Sequence, residues 1–113
     1  MQVRLHVKFW LERDGKVLFG EGRQQLLEAV ASTGSLAGAA RELGMSYRAA
    51  WGRIKASEQR LGIKLVEPEK EGHRGMKLTP QARQLMERFQ RLQAKIERLC
   101  HEEADEQWLR ELE

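Results

Sequence analysis

The sequence predicts a mainly α-helical fold with small β-hairpins, and three patterns within its 113 residues lead to this prediction. Residues 32–62 read as two short helices joined by a tight turn, the flanking stretches alternate as strands do, and a long amphipathic helix follows Thr79. Together they predict a winged helix-turn-helix with a long C-terminal dimerisation helix. We expect the helix-turn-helix domain, with an N-terminal hairpin, at 1–78, the dimerisation helix at 79–102 and an acidic tail at 103–113.

The charge is unevenly distributed along the chain. Residues 1–96 hold eighteen basic and ten acidic side chains, whereas residues 97–113 hold two basic and seven acidic ones. A basic body with an acidic appendage suits a nucleic-acid-binding domain, although an ordinary solvated surface fits the charge alone. The single cysteine, Cys100, excludes an intramolecular disulfide and fits a reducing compartment. No apolar run is long enough for a bilayer, so we expect a cytoplasmic protein with no membrane partner.

The N-terminal stretch predicts a hairpin followed by a helix. Apolar residues alternate with polar ones from Val3 to Glu12, which is the pattern of a half-buried strand. Asp14-Gly15 supplies a turn, and residues 17–19 can return as a second strand. Trp10 falls on the polar face, where it either packs under a neighbouring element or subunit or is simply an exposed aromatic. Residues 23–32 then predict a helix that ends at Thr33-Gly34.

The helix-turn-helix prediction rests on caps, small residues and a glycine turn. Ser35 is placed to cap the first helix, and the small residues at 37–40 let a second helix cross close by. Gly44 lies where the chain must reverse, and glycine tolerates the positive φ that such a turn often needs. Ser46 can cap the second helix, which Gly62 would end. In this motif the second helix enters the DNA major groove.

Helical spacing divides the second helix into two faces. Ala50, Ile54, Ser57 and Leu61 should face inward, and an aromatic-plus-basic set shares the opposite side. The alternatives are core or dimer packing for Trp51 and a solvated charge for Arg48 and Lys55. We expect a DNA-binding set comprising Ser46, Tyr47, Arg48, Trp51, Gly52, Arg53, Lys55, Arg60 and Arg74.

A wing is predicted after this helix. Residues 63–67 and 76–78 read as two short strands joined by a polar loop in which Glu69 and Glu71 offset Lys70, His73 and Arg74. Its attraction for DNA should therefore be weak, and a hairpin that only closes the core explains the pattern equally well.

The last long helix carries a heptad-like seam. Thr79-Pro80 is a typical helix start, with a capping hydroxyl before a proline at the first helical position. The seam suggests an antiparallel or parallel helix partner, and the alternative is that it packs only on its own domain. We expect dimerisation through Leu26, Val30, Leu85, Phe89, Leu92, Ile96 and Leu99.

The sequence shows no pattern of catalytic, cofactor-binding or metal-binding chemistry. It contains neither a phosphate-binding loop motif nor a dinucleotide-binding glycine motif, and His6, His73 and His101 are scattered. Cys100 and His101 are adjacent, and neighbours on a helix point in different directions. We therefore predict no enzyme, no cofactor and no metal site.

Several segments together resemble a known family. The stretches LFGEGR, GSLAGAARELGMSYRAAW and LVEP, followed by a wing and Leu78-Thr79, are similar to the N-terminal DNA-binding domain of ModE, the molybdate-responsive regulator with a LysR-like winged helix. The resemblance covers roughly residues 3–100. It implies a homodimer joined through the first and the long C-terminal helix, with two recognition helices on a palindromic operator. ModE continues into molybdate-binding domains for which this sequence leaves no room, so this chain alone does not support molybdate binding.

We therefore predict a prokaryotic transcriptional regulator that binds double-stranded DNA as a homodimer, with recognition helices about 34 Å apart. Arg48 is the expected guanine reader, because a guanidinium can pair with both acceptors of that base edge. Two alternatives are a winged helix used as a protein–protein interaction module and a single-domain regulator that responds to molybdate or another oxyanion.

Overall fold

The computed structural model describes residues 2–70 and 75–113 and shows five helices and two hairpins within them. The elements follow the chain as β1 Trp10–Arg13, β2 Lys16–Gly20, α1 Glu21–Thr33, α2 Leu36–Glu42, α3 Tyr47–Leu61, β3 Val66–Pro68, β4 Met76–Leu78, α4 Pro80–Glu103 and α5 Glu106–Glu111. This order confirms the predicted mainly α-helical winged helix-turn-helix with its long C-terminal helix.

The N-terminal hairpin is shorter than predicted. β1 pairs antiparallel with β2 from Trp10↔Gly20 to Arg13↔Lys16, and Asp14 and Gly15 form the turn with positive φ. The strand predicted from Val3 is wrong for residues 2–9, because β2 gives way to α1 at Glu21 and leaves no strand beside them. The half-buried character is also wrong, since all of β1 is exposed, and Trp10 donates a hydrogen bond from Nε1 to Glu12 at 2.6 Å.

The core lies where α1, α2 and α3 meet. Leu26 and Val30 of α1 are completely buried there, beside alanines of α2 and α3. Both therefore stabilise their own protomer, and the dimer contact predicted for them stays a prediction. Their apolar spacing was read correctly as a buried face, but periodicity does not say whether the partner is intramolecular.

Two contacts attach α4 to this core. The Thr79 hydroxyl accepts the Ala82 N–H at 3.1 Å and donates to the Lys64 carbonyl at 2.6 Å, so it caps α4 and ties it to the segment before β3. Ten residues later Phe89 packs on two aromatics, stacked on Phe9 at 4.8 Å and edge-on to Phe19 at 5.1 Å between ring centroids.

The seam predicted on α4 is therefore divided between two environments. Phe89 is buried in its own protomer and Leu85 and Ile96 are half-buried, and the part of all three in a dimer stays a prediction. Leu92 and Leu99 remain 45% and 58% exposed, and their part in a dimer stays a prediction. Beyond Ala104 the acidic tail forms α5, whose first turn is capped by the Asp105 carboxylate accepting from the Trp108 N–H.

Replacing Phe89 tests whether the aromatic cluster holds α4 on the core. Phe89→Ala should lower the free energy of unfolding by about 3–5 kcal/mol, because it leaves a cavity between Phe9 and Phe19. Urea unfolding followed by circular dichroism measures this loss. Phe89→Leu, which keeps much of the volume, should cost clearly less, and equal costs for the two variants would contradict the packing role.

Candidate nucleic-acid interface

The direction of α3 is set by the turn that precedes it. Gly44 has φ +67°, and the Met45 N–H donates to the Ala40 carbonyl at 2.9 Å, which closes the turn on α2. Ser46 then caps α3, its hydroxyl accepting from the Ala49 N–H at 3.1 Å. The structure thus gives Ser46 a capping role at the very start of the candidate DNA-binding helix.

One face of α3 is buried and the other faces solvent. Ala50, Ile54 and Ser57 lie in the core. On the other side Tyr47 is 55% exposed and Arg48 is exposed, and Arg48 makes no hydrogen bond or ion pair with any residue among 2–70 and 75–113. The two faces predicted from helical spacing are confirmed, whereas the contact of the outer face with DNA stays a prediction.

Gly52 lies in the middle of this outer face. Within an exposed helix glycine costs about 1 kcal/mol relative to alanine. Beyond its chain neighbours and the backbone of its own helix, a Cβ built on Gly52 would meet no atom of the described residues within 4 Å, so packing between elements does not require glycine there. The residue leaves the helix backbone open to a close approach from outside.

Trp51 belongs to the surface rather than to the core. Its ring is 36% exposed, and the Lys55 ammonium lies 4.4 Å from the ring centroid, within cation–π range. Lys55 Nζ is also 3.1 Å from Glu58 Oε1. The core alternative for Trp51 is therefore wrong, and Lys55 is held in place along the helix while still half-exposed.

The Glu58 carboxylate, which the sequence did not single out, joins α3 to the wing. It is only 7% exposed, and its Oε2 accepts the Leu65 N–H at 2.7 Å and the Val66 N–H at 3.4 Å. Burial raises the pKa of Glu58, but these hydrogen bonds and the Lys55 ammonium outweigh it, so the pKa lies below its ordinary value of 4.5. Glu58 is thus charged at neutral pH and fixes the angle between α3 and the wing.

Three arginines concentrate positive charge beside α3. Arg23 of α1 donates from Nε to Ser57 Oγ at 2.8 Å. Burial, followed by the charges of Arg53 and Arg60, lowers the pKa of Arg23, although an arginine stays protonated at any ordinary pH. Arg23 was missed because it lies on another helix, and only the tertiary fold brings it beside Ser57 and near Arg53 and Arg60 of α3.

Arg60 also has a structural role. Its Nη1 donates to the Val17 carbonyl at 3.0 Å, and its own carbonyl accepts from Arg13 Nη1 at 2.9 Å. These two bonds fasten the N-terminal hairpin to the end of α3. The DNA contacts predicted for Arg53 and Arg60 stay predictions.

The wing is anchored at its base. β3 and β4 pair from Val66↔Leu78 to Pro68↔Met76, and the Met76 N–H donates to the Gly34 carbonyl at 2.9 Å, at the end of α1. Lys77 lies 3.9 Å from the Glu67 carboxylate, so its charge is partly balanced. Arg74, also predicted to contact DNA, lies outside the described residues.

Neither a metal-binding cluster nor a membrane-spanning helix occurs among the residues that the structure describes. The part of the chain described, 2–70 and 75–113, holds no group of three or more His, Cys, Asp or Glu side chains arranged to bind a metal ion. Within the same ranges no helix combines the length and apolar character needed to cross a membrane.

Residues 23–83 match the family described as bacterial regulatory helix-turn-helix protein, lysR family. Over 91 residues the chain is 36% identical to the molybdenum-pterin-binding protein MopB of Rhodobacter capsulatus, covering 79% of this chain and 33% of that protein. MopA of the same organism is 42% identical over 65 residues, with coverage of 58% and 24%. The chain therefore spans only a quarter to a third of the length of these relatives.

Two similar solved structures are DNA complexes. The crystal structure of the CbnR_DBD–DNA complex has 33% sequence identity and a TM-score of 0.56, covering 69% of this chain and 87% of that one. The complex of BenM_DBD with catB site 1 DNA has 26% identity and a TM-score of 0.55, with coverage of 70% and 86%. These similarities confirm the resemblance to ModE- and LysR-like winged helix-turn-helix domains.

The pH dependence of the free energy of unfolding tests the role assigned to Glu58. Glu58→Gln should cost about 1–3 kcal/mol at pH 7, because the buried amides lose a charged acceptor. A carboxylate with a lowered folded-state pKa contributes stability above its unfolded pKa, and this contribution disappears as the pH falls through the folded value. The difference between wild type and variant in urea unfolding should therefore be constant from pH 8 to about 5 and shrink in stronger acid.

The exposed Glu87, paired with Arg91 at 2.9 Å on α4, provides the control. Glu87→Gln should cost no more than about 0.5 kcal/mol. A Glu58→Gln effect as small as this one would contradict the structural role.

Proposed function

The chain belongs to the LysR family of bacterial regulatory helix-turn-helix proteins, and we propose that it is a transcriptional regulator that binds a palindromic operator in double-stranded DNA as a homodimer. The observation that carries the proposal is the outer face of α3, which is exposed, rich in aromatic and basic side chains and bordered by three arginines. The similar CbnR and BenM domain structures are complexes with DNA, which supports the same class of partner here.

In this proposal α3 enters the major groove. Arg48 reads guanine, because its planar guanidinium matches the two acceptors on that base edge. Tyr47 and Trp51 flank it and contact apolar base edges and sugars, and Gly52 allows the helix backbone to approach the DNA closely. Ser46 keeps its capping role and lies at the N-terminal end of α3, the end that meets base edges in helix-turn-helix proteins.

The arginine cluster supplies the non-specific part of the binding. Arg23, Arg53 and Arg60 hold phosphates beside the groove, and Lys55 adds a further charge. A phosphate would also relieve the mutual repulsion of these guanidinium groups, so their clustering favours an anionic partner. The remaining capacity of Arg60 is limited, because part of its guanidinium is bound to the hairpin.

The homodimer is proposed from the exposed side of α4. Leu92 and Leu99 are the most exposed leucines of that helix, and Leu85 and Ile96 lie half-buried along the same stripe. A two-fold dimer would place two copies of α3 about 34 Å apart, one turn of DNA. The two similar proteins MopB and MopA are molybdenum-pterin-binding proteins. Because this chain spans only a third or less of their length, the proposal does not include molybdenum-pterin binding.

The proposal is tested by selecting a preferred duplex from a random library and titrating it by fluorescence polarisation. We expect two half-sites in inverted orientation with centres one helical turn apart, and affinity that falls steeply with salt. Salt-insensitive capture of a protein without DNA affinity would favour the interaction-module alternative, and DNA affinity that changes with molybdate would favour the oxyanion-responsive one.

Arg48→Ala tests the assignment of the base-reading residue. The variant should lose about 1–3 kcal/mol of binding free energy at the selected site and discriminate less at one base position of each half-site. Arg98→Ala, an exposed arginine of α4, is the matched control and should bind as wild type does. Equal affinity and equal sequence preference for wild type and Arg48→Ala would remove Arg48 from the recognition set.

Gly52→Ala separates folding from binding. The substitution should raise the free energy of unfolding by about 0.5–1 kcal/mol, because alanine favours the helix and its Cβ meets no neighbour. The same methyl group should weaken binding to the selected duplex, since it stands where the DNA approaches α3. Increased stability with unchanged DNA affinity would show that Gly52 does not lie at the interface.

A further inference from the structure

A groove on α4 is bordered by basic side chains and has an apolar floor. It encloses about 360 Å³, and Leu11 of β1 together with Leu85, Phe89 and Leu92 of α4 forms its floor. The charged side chains that line it are all basic and are Arg88, Arg91 and Lys95. Arg91 is paired with Glu87 at 2.9 Å, so Arg88 and Lys95 are the residues of the border best suited to charge-reversal substitutions.

The two ends of the C-terminal region carry opposite charge. Residues 80–98 contain five basic and two acidic side chains, whereas residues 99–113 contain one basic and six acidic ones. Two such helices side by side in parallel would bring like charges together at both ends. Antiparallel pairing places each acidic end against a basic one, so charge favours the antiparallel arrangement.

The short helix α5 matches the groove in character. Its Leu109 is half-buried and lines a cavity with the N-terminal residues of the same chain. On another side of the helix Trp108 and Leu112 are 49% and 57% exposed. An apolar surface flanked by carboxylates is what a groove with an apolar floor and a basic border would accept.

We propose that α5 of a second copy of this chain occupies the groove, with the two α4 helices antiparallel. The inference rests on the homodimer proposed above and specifies what its partner contributes. Trp108 and Leu112 of one protomer cover Leu11, Leu85 and Leu92 of the other, and the acidic tail neutralises Arg88 and Lys95. Each protomer thereby completes a surface that is left open in the single chain.

The length of α4 fits this arrangement. The helix has 24 residues and is about 36 Å long. If Leu99 packs against the partner's Leu99, antiparallel helices place the partner's Glu103 opposite Lys95, at the groove. The helix breaks at Ala104, whose backbone (φ −93°, ψ 70°) leaves the helical conformation, so the partner's α5 begins beside the groove.

Two complementary charge reversals test the inference in the full-length chain. The groove variant carries Arg88→Glu and Lys95→Glu. The tail variant carries Glu103→Lys and Glu111→Lys; both glutamates are exposed and line neither the groove nor the cavity beside Leu109. In a homodimer of either variant, like charges face each other at both docking sites. In a heterodimer of the two variants, the acidic groove of one chain binds the basic tail of the other, and the basic groove binds the acidic tail.

Sedimentation equilibrium should show each variant self-associating at least about tenfold more weakly than wild type, a loss of about 1.4 kcal/mol. Native mass spectrometry of the mixture should then show mainly the heterodimer, with an affinity close to that of wild type. A control with the same charge change outside the C-terminal helices, Arg41→Glu with Lys64→Glu at exposed positions, should self-associate as wild type does, and circular dichroism should confirm that all variants fold.

The contrary outcomes distinguish this inference from the proposed homodimer. If both reversed variants self-associate as wild type does while Leu99→Asp is monomeric, the homodimer stands and the tail contact is overturned. If both weaken and mixing restores nothing, the charges act within one chain and the inference is again overturned. If wild type is monomeric throughout, the proposed homodimer fails and the tail contact with it.

Discussion

Small side chains allow α2 and α3 to cross closely, and this crossing determines which face of α3 is exposed. Ala39 and Ala40 of α2 and Ala50 of α3 are almost completely buried, so the two helix backbones can approach closely. The short turn at Gly44 allows this crossing, and Ser46 begins α3 at once. With that side of α3 occupied by its own domain, its opposite side must face solvent, which is the condition for entering a DNA groove.

The ends of α3 are fixed by polar contacts. Its N-terminus is held by the Ser46 cap, and its C-terminal part by the Glu58 carboxylate, which accepts backbone N–H groups of Leu65 and Val66. The hairpin is tied to the last turn through Arg60. A rigid helix favours base recognition, because side chains that folding has already ordered lose less conformational entropy when DNA binds. The same contacts that stabilise the fold thus prepare the outer face.

How far the sequence predicts this molecule depends on how local each signal is. Caps at Ser35, Ser46 and Thr79 act within one turn, and all three were predicted and found. The strand predicted from Val3 failed because pairing depends on a neighbour that ends at Gly20. An apolar stripe does not reveal which element covers it, so the sequence alone could not predict that Leu26, Val30 and Phe89 are buried within their own protomer. Glu58 and Arg23 were missed for the same reason, since their partners are brought near only by the tertiary fold.

NMR mapping with the selected duplex can show whether the outer face of α3 binds DNA, as we propose. Backbone amide resonances of ¹⁵N-labelled protein would be followed during titration with that duplex and with an unrelated one. We expect the largest shifts specific to the selected duplex to cluster at Tyr47, Arg48 and Gly52, with weaker and sequence-independent shifts near Arg23. Shifts confined to α5 or to the N-terminal residues, with α3 unchanged, would contradict it.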